Sequence, residues 1–498
     1  MPKNIVICSD GTGNSSVKDR GTNVFKLFEA VDLQPPKPGE HVQVAFYDDG
    51  VGTESIKPLK LLGGAFGWGL SKNVRDLYLA LARVYAPEDR IYLFGFSRGA
   101  YTARFLAALI VSRGVPYATG SDQELKARAA YAFKEFRKLF PRKWYMTPDA
   151  SASQPAPPPK DFHRTKVEFV GVWDTVDAVG FPVDEVADFW DHVIHPFKFP
   201  ELGLSRSVVA GRHALSIDDA RQTFHPTMWD HPGASQPADP DHLKQVWFSG
   251  AHSNVGGGYP KQGMSLVALD WMMQEAKAHG LRFLNSVETM YHDLQNVNDK
   301  LYDPRAGLAV YYRYKPRPVQ DLCAKAKAPP QIHVSVIERI ALGTEAYAPG
   351  NLPPDLEVVG DVRPEVAQGL TAVLRNALAS GGLEPARRWV FWKELSQRLF
   401  VLVSVVTVAY ILWALPGDNP IDALGRLFSW TGIFNGLRAV ASGAPWLLAA
   451  LAGLTAFGYY ATARMERIHS EFWFPLRPQL QQLLMGGSQT NSTAAGKP

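Results

Sequence analysis

Apolar runs alternate with helical patterns over the first 115 residues of the chain. Short apolar stretches at residues 4–8, 42–47 and 91–94 end in turn-forming residues, which predicts three buried strands. Residues 70–84 carry apolar side chains at helical spacing, and Pro87 follows them, which predicts a helix. Strands that alternate with helices favour an α/β fold, a mostly parallel sheet with helices on both faces.

The alternation resumes after residues 146–160, where five prolines predict a surface linker or insertion. Further strands are expected at residues 167–172 and 245–248, and helices at residues 265–279 and about 360–381. The predicted organisation is an α/β-hydrolase-like catalytic domain at residues 1–353, with cap or insertion segments around 116–165 and 180–240. A helical connector at residues 354–390 would follow it.

Two long uncharged runs, 17 residues at 399–415 and 25 residues at 439–463, come near the C-terminus. About 20 helical residues cross a hydrocarbon core of roughly 30 Å, so the runs predict a two-helix transmembrane hairpin at residues 391–465. The shorter run would also fit a buried core helix. Residues 466–498 are expected to form a polar cytoplasmic tail, disordered from about residue 486.

Basic residues flank the hairpin more densely than they occur in its loop. The flanking cations are Arg387, Arg388, Lys393 and Arg398 before it and Arg464, Arg467 and Arg477 after it; the loop holds Arg426 and Arg438 against Asp418 and Asp422. Basic residues favour the cytoplasmic side. This asymmetry predicts a two-pass protein of the bacterial inner membrane with its catalytic domain in the cytoplasm.

Composition adds little to this pattern. The 52 basic and 48 acidic residues are spread along the chain, which gives no basic field for nucleic acid. Cys8 and Cys323 are too few for a disulfide framework or a four-thiolate metal site, and they suit a reducing compartment. The apolar run at residues 5–8 is too short for a signal-peptide core.

The strongest chemical signal is Gly95-Phe96-Ser97-Arg98-Gly99, which follows a predicted strand and precedes a helix-like segment. Glycines two residues before and after a serine allow a sharp strand-to-helix turn that exposes the hydroxyl at the top of a sheet. Ser97 is therefore predicted to be the nucleophile of a serine hydrolase.

A serine nucleophile needs a histidine base, which needs a carboxylate to orient it, and in this fold the chain order is Ser, acid, His. Asp174 follows the predicted strand at residues 167–172 and is the expected acid, with Asp177 as the nearest rival. His252 follows the strand at residues 245–248 and is the expected base. Glycines at residues 256–258, including Gly256 and Gly257, indicate closely approached backbone beside it.

The oxyanion of the tetrahedral intermediate needs backbone N–H donors, one from the residue after the nucleophile and one from an early strand-end loop. Arg98 is the candidate for the first, and Gly11 or Thr12 for the second. The alternative is that Asp10 and its neighbours only form a tight Asx-type turn.

Taken together, five segments resemble the catalytic domain of type VI secretion phospholipase effectors. They are Cys8-Ser9-Asp10-Gly11-Thr12-Gly13-Asn14, Tyr47-Asp48-Asp49-Gly50-Val51-Gly52-Thr53, Gly95-Phe96-Ser97-Arg98-Gly99-Ala100, Val172-Trp173-Asp174-Thr175-Val176 and His252-Ser253-Asn254-Val255-Gly256-Gly257-Gly258-Tyr259. The resemblance extends to about residue 353 and implies hydrolysis of glycerophospholipid acyl esters by Ser97, His252 and Asp174. Members of that family commonly carry aspartate where this chain has Asn254.

The leading hypothesis is a membrane-anchored esterase or phospholipase without cofactor or metal, with membrane lipids as substrate and anchor environment. Trp190, Phe197 and Phe199 in the predicted cap could meet acyl chains.

Other interpretations remain open. One is a metal phosphoesterase that uses Asp10, Asp48, Asp49, Asp174 and His252. Another is a haloacid-dehalogenase-like phosphatase, although Cys8 stands where its nucleophilic aspartate would be. The third is a hydrolase-fold membrane scaffold or binding module without activity.

Overall fold

A parallel sheet of eight strands forms the centre of the chain. The computed structural model describes residues 2–11, 21–49, 65–138, 159–176, 203–231, 239, 241–414 and 429–488. The strands are β1 (Lys3–Ser9), β2 (Val42–Asp48), β3 (Arg90–Phe96), β4 (Val115–Pro116), β5 (Phe162–His163), β6 (Val167–Trp173), β7 (Val208–Ser216), β8 (Leu243–Phe248), β9 (Gln331–His333) and β10 (Glu357–Val359). The large sheet has the order β10-β9-β8-β7-β6-β3-β1-β2, and β4 pairs with β5 in an antiparallel ribbon.

Helices cover both faces of the large sheet. They are α1 (Asn23–Ala30), α2 (Ala65–Val84), α3 (Arg98–Arg113), α4 (Asp122–Arg137), α5 (His252–Gly256), α6 (Gly263–Ala278), α7 (Asn285–Asp293), α8 (Val319–Lys325), α9 (Val334–Leu342), α10 (Pro364–Ala379), α11 (Glu384–Ala414), α12 (Trp430–Gly443), α13 (Pro445–Trp473) and α14 (Arg477–Ser488). On β1, Ile5 and Ile7 pack toward α2 and α3, whereas Val6 and Cys8 pack toward α1 and α6. This alternation follows the two-residue side-chain period of a strand. The expected mostly parallel α/β fold is confirmed.

One central strand was missing from the sequence-based expectation. β7, at Val208–Ser216, lies between β6 and β8 in the sheet, inside the segment 180–240 that was expected to be a cap or insertion. The strand contains Arg212 and His213, both fully buried, and polar residues in a strand hide its apolar pattern. The sheet therefore runs through part of the expected cap.

The sheet also continues past the expected domain boundary at residue 353. β10 pairs with β9 in parallel at residues 357–359, and α10 then packs against that edge. Residues 477–488, expected to belong to a polar tail, form helix α14. Trp473 and Leu480 are completely buried in the same core as α9 and α10. Apolar residues at helical spacing thus pack α14 against the catalytic domain. The low average hydrophobicity of this segment hides that spacing in the sequence.

Two helical segments are long and apolar enough to cross a membrane, α11 and the segment that begins with α13 at Pro445. The apolar run at residues 439–463 is not one straight helix, because the chain breaks at Ala444 between α12 and α13. Proline suits the first turn of a helix and not its interior, which explains a new helix at Pro445. α12 packs against the end of α11, where a Cβ on Gly436 would lie 2.6 Å from Ile411.

Candidate active site

The carboxyl ends of the central strands converge at one edge of the sheet. β1 pairs with β2 on one side and β3 on the other, so the strand order reverses at β1 and β3. Open α/β sheets bind ligands in the crevice outside the strand ends at such a point. Phe96 on β3 is in register with Trp173 on β6, so Ser97 and Asp174 leave neighbouring strands at the same level.

Ser97 occupies a sharp turn between β3 and α3. Its backbone has φ 57°, in the left-handed region that non-glycine residues rarely adopt. A Cβ on Gly95 would lie 2.4 Å from the Gly99 carbonyl oxygen, and one on Gly99 would lie 2.1 Å from the Ser9 carbonyl oxygen. Only glycine fits at both positions, because β1, β3 and α3 meet there with backbone in contact. Ser97 itself remains partly exposed.

Asp174 and His252 form a buried pair beside this turn. Asp174 lies directly after β6, is fully buried and has φ 41°, a second left-handed non-glycine residue at the site. Its Oδ2 lies 2.6 Å from Nδ1 of His252. Since a carboxylate only accepts hydrogen bonds, Nδ1 carries the proton and Nε2 keeps its lone pair. The imidazole is therefore in the tautomer that a general base requires.

The Ser97 turn is connected to this pair on two sides. The backbone N–H of Ser97 donates to the Trp173 carbonyl at 3.1 Å, one residue before Asp174. The ring of Phe96, one residue before Ser97, has its centroid 4.6 Å from that of His252. All three predicted triad residues thus lie at the same strand ends.

The electrostatics of the pair keep Asp174 ionised and His252 neutral. Burial alone would raise the pKa of the Asp174 carboxyl, but Arg317 and His252 outweigh burial, and that pKa lies well below its ordinary value. Burial lowers the pKa of His252, and Asp174 offsets only part of this effect, so its pKa also lies below the ordinary value. A neutral imidazole beside an ionised carboxylate is the resting state of an acid–base pair.

His252 is the first residue of the short helix α5, whose glycines allow close contacts. A Cβ on Gly256 would lie 2.0 Å from the Phe96 ring, and one on Gly257 would lie 2.7 Å from the Asn23 backbone nitrogen. Gly257 also has φ 87°, which suits glycine. The glycines that follow His252 in the sequence therefore let α5 approach Phe96 and the start of α1.

The candidate oxyanion donors lie at the start of α3 and in the loop after β1. Arg98 is the first residue of α3, so its N–H belongs to the helix turn that lacks intrahelical acceptors. The Gly11 N–H donates to Oδ1 of Asp10 at 2.6 Å, as in the Asx-type alternative. Oδ2 of Asp10 accepts from Thr22 and Tyr47. Thr12 lies outside the described residues.

Several site residues gave no signal in the sequence. The Arg317 guanidinium, fully buried, donates to both Asp174 oxygens at 2.5 and 2.7 Å. Oδ2 of Asp219, which also pairs with Arg221, accepts the His252 backbone N–H at 3.2 Å. The Phe224 ring meets the His252 ring edge-on at 5.2 Å between centroids. These residues follow β7, which was itself missed, or lie far along the chain.

The metal phosphoesterase and phosphatase hypotheses concern residues that lie apart in the structure or have other hydrogen-bond partners. Among the described residues, no three His, Cys, Asp or Glu side chains converge as metal ligands would. Oδ2 of Asp48 accepts from Ser9 and Asn73. Cys8 is fully buried within β1, and burial raises the pKa of its thiol. The rival acid and the cap aromatics, Asp177, Trp190, Phe197 and Phe199, lie outside the described residues.

Asn254, where the resembled family commonly has aspartate, uses both ends of its amide. Its Oδ1 accepts the Ala251 and Tyr302 N–H groups at 3.3 and 3.4 Å. Its Nδ2 donates to the Lys300 carbonyl at 3.0 Å. An aspartate would keep the acceptors and lose the donor. Asn254 therefore joins α5 to the segment after α7.

Fold and site together define an α/β protein that gathers a serine turn, a histidine and an aspartate at the carboxyl ends of a parallel sheet. The chain belongs to the family described as the type VI secretion system (T6SS) phospholipase effector Tle1-like catalytic domain, which matches residues 3–275.

A curated relative is the uncharacterized protein YEL023C of Saccharomyces cerevisiae, 28% identical over 239 residues that cover 45% of this chain. The chain matches only 32% of that protein's length.

Two solved structures are more distant. One, of the Tle1 effector bound to the VgrG spike from the type 6 secretion system, is 15% identical with a TM-score of 0.38, covering 66% of this chain and 83% of the other. An uncharacterized protein from Pseudomonas aeruginosa is 18% identical with a TM-score of 0.33, covering 92% and 67%. Both TM-scores are below 0.5.

Proposed function

We propose that the protein is a serine hydrolase of the α/β-hydrolase type that cleaves acyl esters of lipids. The observation that carries this proposal is the buried Asp174–His252 pair beside the left-handed Ser97 turn. The chain order Ser, Asp, His and the strand-to-helix turn with its two glycines support the same assignment. Membership of a phospholipase effector family supports a lipid substrate.

In the proposed reaction, Ser97 Oγ attacks the ester carbonyl while His252 Nε2 takes its proton. Asp174 stabilises the imidazolium that forms, because its ionised carboxylate accepts the Nδ1 hydrogen bond. The N–H of Arg98 at the start of α3 would stabilise the oxyanion. His252 then protonates the departing alcohol, which leaves an acyl-enzyme on Ser97. Water, deprotonated by His252, attacks this ester, and His252 returns that proton to Ser97 Oγ as the C–O bond breaks and the fatty acid is released.

The second oxyanion donor is assigned to the loop after β1. Gly11 would have to release its bond to Asp10 to serve, whereas Thr12 is the next amide along the chain. An oxyanion hole in this fold takes its second donor from an early strand-end loop, which supports the assignment.

We propose further that α11 and α13 anchor the enzyme in a lipid bilayer. Only 28% and 11% of their most apolar windows are buried within the protein. Near their common foot, Trp389 meets Tyr460 and Trp392 meets Phe457, at centroid distances of 5.5 and 6.4 Å. Aromatic side chains are enriched at the membrane–water interface. An anchor of this kind would hold the site close to lipid substrates.

The basic residues around the foot of these helices support a cytoplasmic catalytic domain. Arg464 lies 5.7 Å from the centre of the Trp389 ring, and Arg387 and Arg398 are ion-paired at the helix surface. We extend this to an inner-membrane location in a bacterium, which the positive-inside rule accommodates.

The test is labelling and hydrolysis by the full chain in detergent micelles. Wild type should react with a fluorophosphonate probe and release fatty acid from phospholipid vesicles. The variant Ser97→Ala should lose both, with hydrolysis down by at least about 10³-fold. The control is Ser112→Ala at the other end of α3, where the hydroxyl donates to the Leu109 carbonyl. Equal labelling of Ser97→Ala and wild type would overturn the assignment. A folded wild type without labelling or hydrolysis would instead favour a binding module.

A further inference from the structure

The catalytic acid is held by a fully buried arginine that the proposed reaction steps do not use. Nη1 and Nη2 of Arg317 lie 2.5 and 2.7 Å from the two Asp174 oxygens. Such a two-point contact fixes the plane of the carboxylate as well as its position. Both side chains have no solvent exposure. The bond between Asp174 and His252 therefore depends on a carboxylate whose orientation Arg317 sets.

The guanidinium is itself fixed by backbone from two other segments. Nη1 also donates to the Ser216 carbonyl at the end of β7, and Nη2 donates to the Phe224 carbonyl, each at 2.6 Å. Phe224 meets the His252 ring, and Ser216 donates its N–H to Asp174 at 3.0 Å. Arg317 thus joins β6, β7 and the residues around His252 into one buried network.

Arg317 lies beyond residue 275, where the match to the family ends. The segment that carries it is attached to helix α11. Oε1 of Gln397 on α11 accepts the Tyr314 backbone N–H at 3.3 Å, and its Nε2 donates to the Tyr312 carbonyl at 3.3 Å. The position of the catalytic acid is therefore set partly by residues outside the matched domain.

Several other charged or titratable groups act on the pair, on Arg317 or on His213, which itself interacts with Asp174. From the segment after β7 come Asp218, Asp219 and Arg221, from β7 comes His213, and from α3 comes Arg104. Asp219 is already paired with Arg221. His213 accepts the Thr175 N–H through Nε2, and burial lowers its pKa to about 3, so it stays neutral. Arg317 is the cation in direct contact with the Asp174 carboxylate.

We propose that Arg317 is a positioning residue that locks the Asp174 carboxylate toward His252 and weakens the hold of that carboxylate on the imidazolium. The proposal rests on the proposed triad. Because a two-point contact prevents the carboxylate from rotating, the Asp174 carboxylate stays aligned with His252 through both proton transfers. The positive charge of Arg317 also partly neutralises the Asp174 carboxylate. The carboxylate therefore attracts the imidazolium less strongly, and His252 releases its proton more readily to the leaving alcohol.

Removal of the charge has a definite sign. Asp174 and His252 titrate as a coupled pair, and a nearby cation opposes binding of any proton to the pair. Without Arg317, the first proton binds at higher pH whichever side chain receives it. Catalysis needs His252 neutral. On acidification, a variant without Arg317 should therefore lose its activity at a higher pH than wild type does. Nearby charges shift a pKa by about 1–3 units.

The experiment compares pH profiles of kcat/KM for a soluble short-chain ester, with the full chain in detergent micelles. In Arg317→Met, the acidic limb should move up by about one pH unit and kcat should fall on the order of 10²-fold. In Arg317→Lys, the limb should stay within about 0.3 units of wild type because the charge remains. Its kcat should still fall at least about 10-fold with KM unchanged, since one ammonium cannot reproduce four hydrogen bonds.

The matched control is Arg212→Met. Arg212 is equally buried and also donates to carboxylates, those of Glu275 and Asp241, and to the Asp241 carbonyl. It lies four residues before the end of β7, away from the triad. Loss of this arginine should lower stability and leave the acidic limb in place.

Two results would overturn the proposal. One is a folded Arg317→Met variant whose acidic limb matches wild type, and the other is an Arg317→Lys variant with wild-type kcat. If Arg317→Met does not fold, Arg317→Lys decides the outcome. An inactive wild type that does not label at Ser97 contradicts the proposed function instead, so the two failures are distinguishable.

Discussion

The strand-end site and the C-terminal apolar helices differ in which side chains they bury and which they expose. At the site, charged groups are buried and partnered: Asp174 and Arg317 have no solvent exposure and bond to each other. On α11, large apolar groups are exposed, with Leu402 59% and Val405 57% accessible. Burying a charge is costly unless it is paired, and exposing apolar surface to water is costly unless something covers it. The site therefore pairs its buried charges within the chain, whereas the exposed apolar side chains of α11 fit the bilayer anchor proposed above.

The two regions meet through a short segment that contacts both. Tyr314 packs with Met465 of α13 and with Ala386 of α11, and Lys393 lies 4.1 Å from the centre of its ring. Three residues later, Arg317 reaches Asp174. A change in the position of these helices would thus reach Asp174 through covalently connected residues. The segment at residues 314–317 therefore connects the two regions.

The largest expected effect comes from charges on the exposed face of α11. We expect Leu402→Arg with Val405→Arg to abolish stable membrane association, because each arginine costs about 2.5–3.5 kcal/mol at a helix centre in a bilayer. Flotation of the expressed full chain with membranes measures this. Leu402→Ala with Val405→Ala, the control, should float as wild type does. Flotation of the double arginine variant would mean that α11 does not enter the bilayer.

A smaller effect is expected inside the site, where packing is tight. Gly256→Ala would force a methyl group into the Phe96 ring beside His252. Overpacking of this kind costs about 1–3 kcal/mol, and displacement of the imidazole should lower kcat at least about 10-fold. Thermal unfolding and ester hydrolysis measure the two effects. Gly203→Ala, with open space at its Cβ, should change neither. Normal kcat in Gly256→Ala would show that the approach of α5 to Phe96 is not required.

The smallest effect is expected at Asn254, which is 1% exposed. Asn254→Asp should lower the free energy of unfolding by about 1–3 kcal/mol, since it leaves the Lys300 carbonyl without its donor and buries a charge. Activity at low temperature should stay within a few-fold of wild type. Denaturant unfolding measures the stability, with the exposed Asn296→Asp as control. An Asp variant as stable as wild type would show that the amide donor contributes nothing.

Much of the fold followed from periodicity. The expected strands at residues 4–8, 91–94 and 167–172 lie within β1, β3 and β6, and the expected helix at residues 265–279 matches α6 within two residues. These segments bury continuous apolar runs or one apolar face, which the chain displays directly. β7 escaped because Arg212 and His213 interrupt its pattern, and each is satisfied by partners distant in sequence.

The site residues likewise fall into those that local sequence motifs indicate and those that they do not. Ser97, Asp174 and His252 could be selected from local motifs because glycines and strand ends surround them. Arg317 could not, because nothing in its neighbouring residues distinguishes it from a surface arginine. Gly11 was a reasonable oxyanion candidate by position, yet its N–H donates to Asp10. Which hydrogen bonds a loop makes depends on contacts that the sequence does not display.

The sequence by itself determined the alternation of strands and helices, the glycine-flanked serine turn and the presence of long apolar C-terminal helices. Each of these depends on residues close together in the chain, whose backbone preferences and hydrophobicity act locally. Only the tertiary structure decided that Arg317 pairs with Asp174, that α14 returns to the core and that Ala444 breaks the second apolar run. Pairing of buried charges and packing of helix faces depend on residues brought together from distant positions, and that information exists only once the chain has folded.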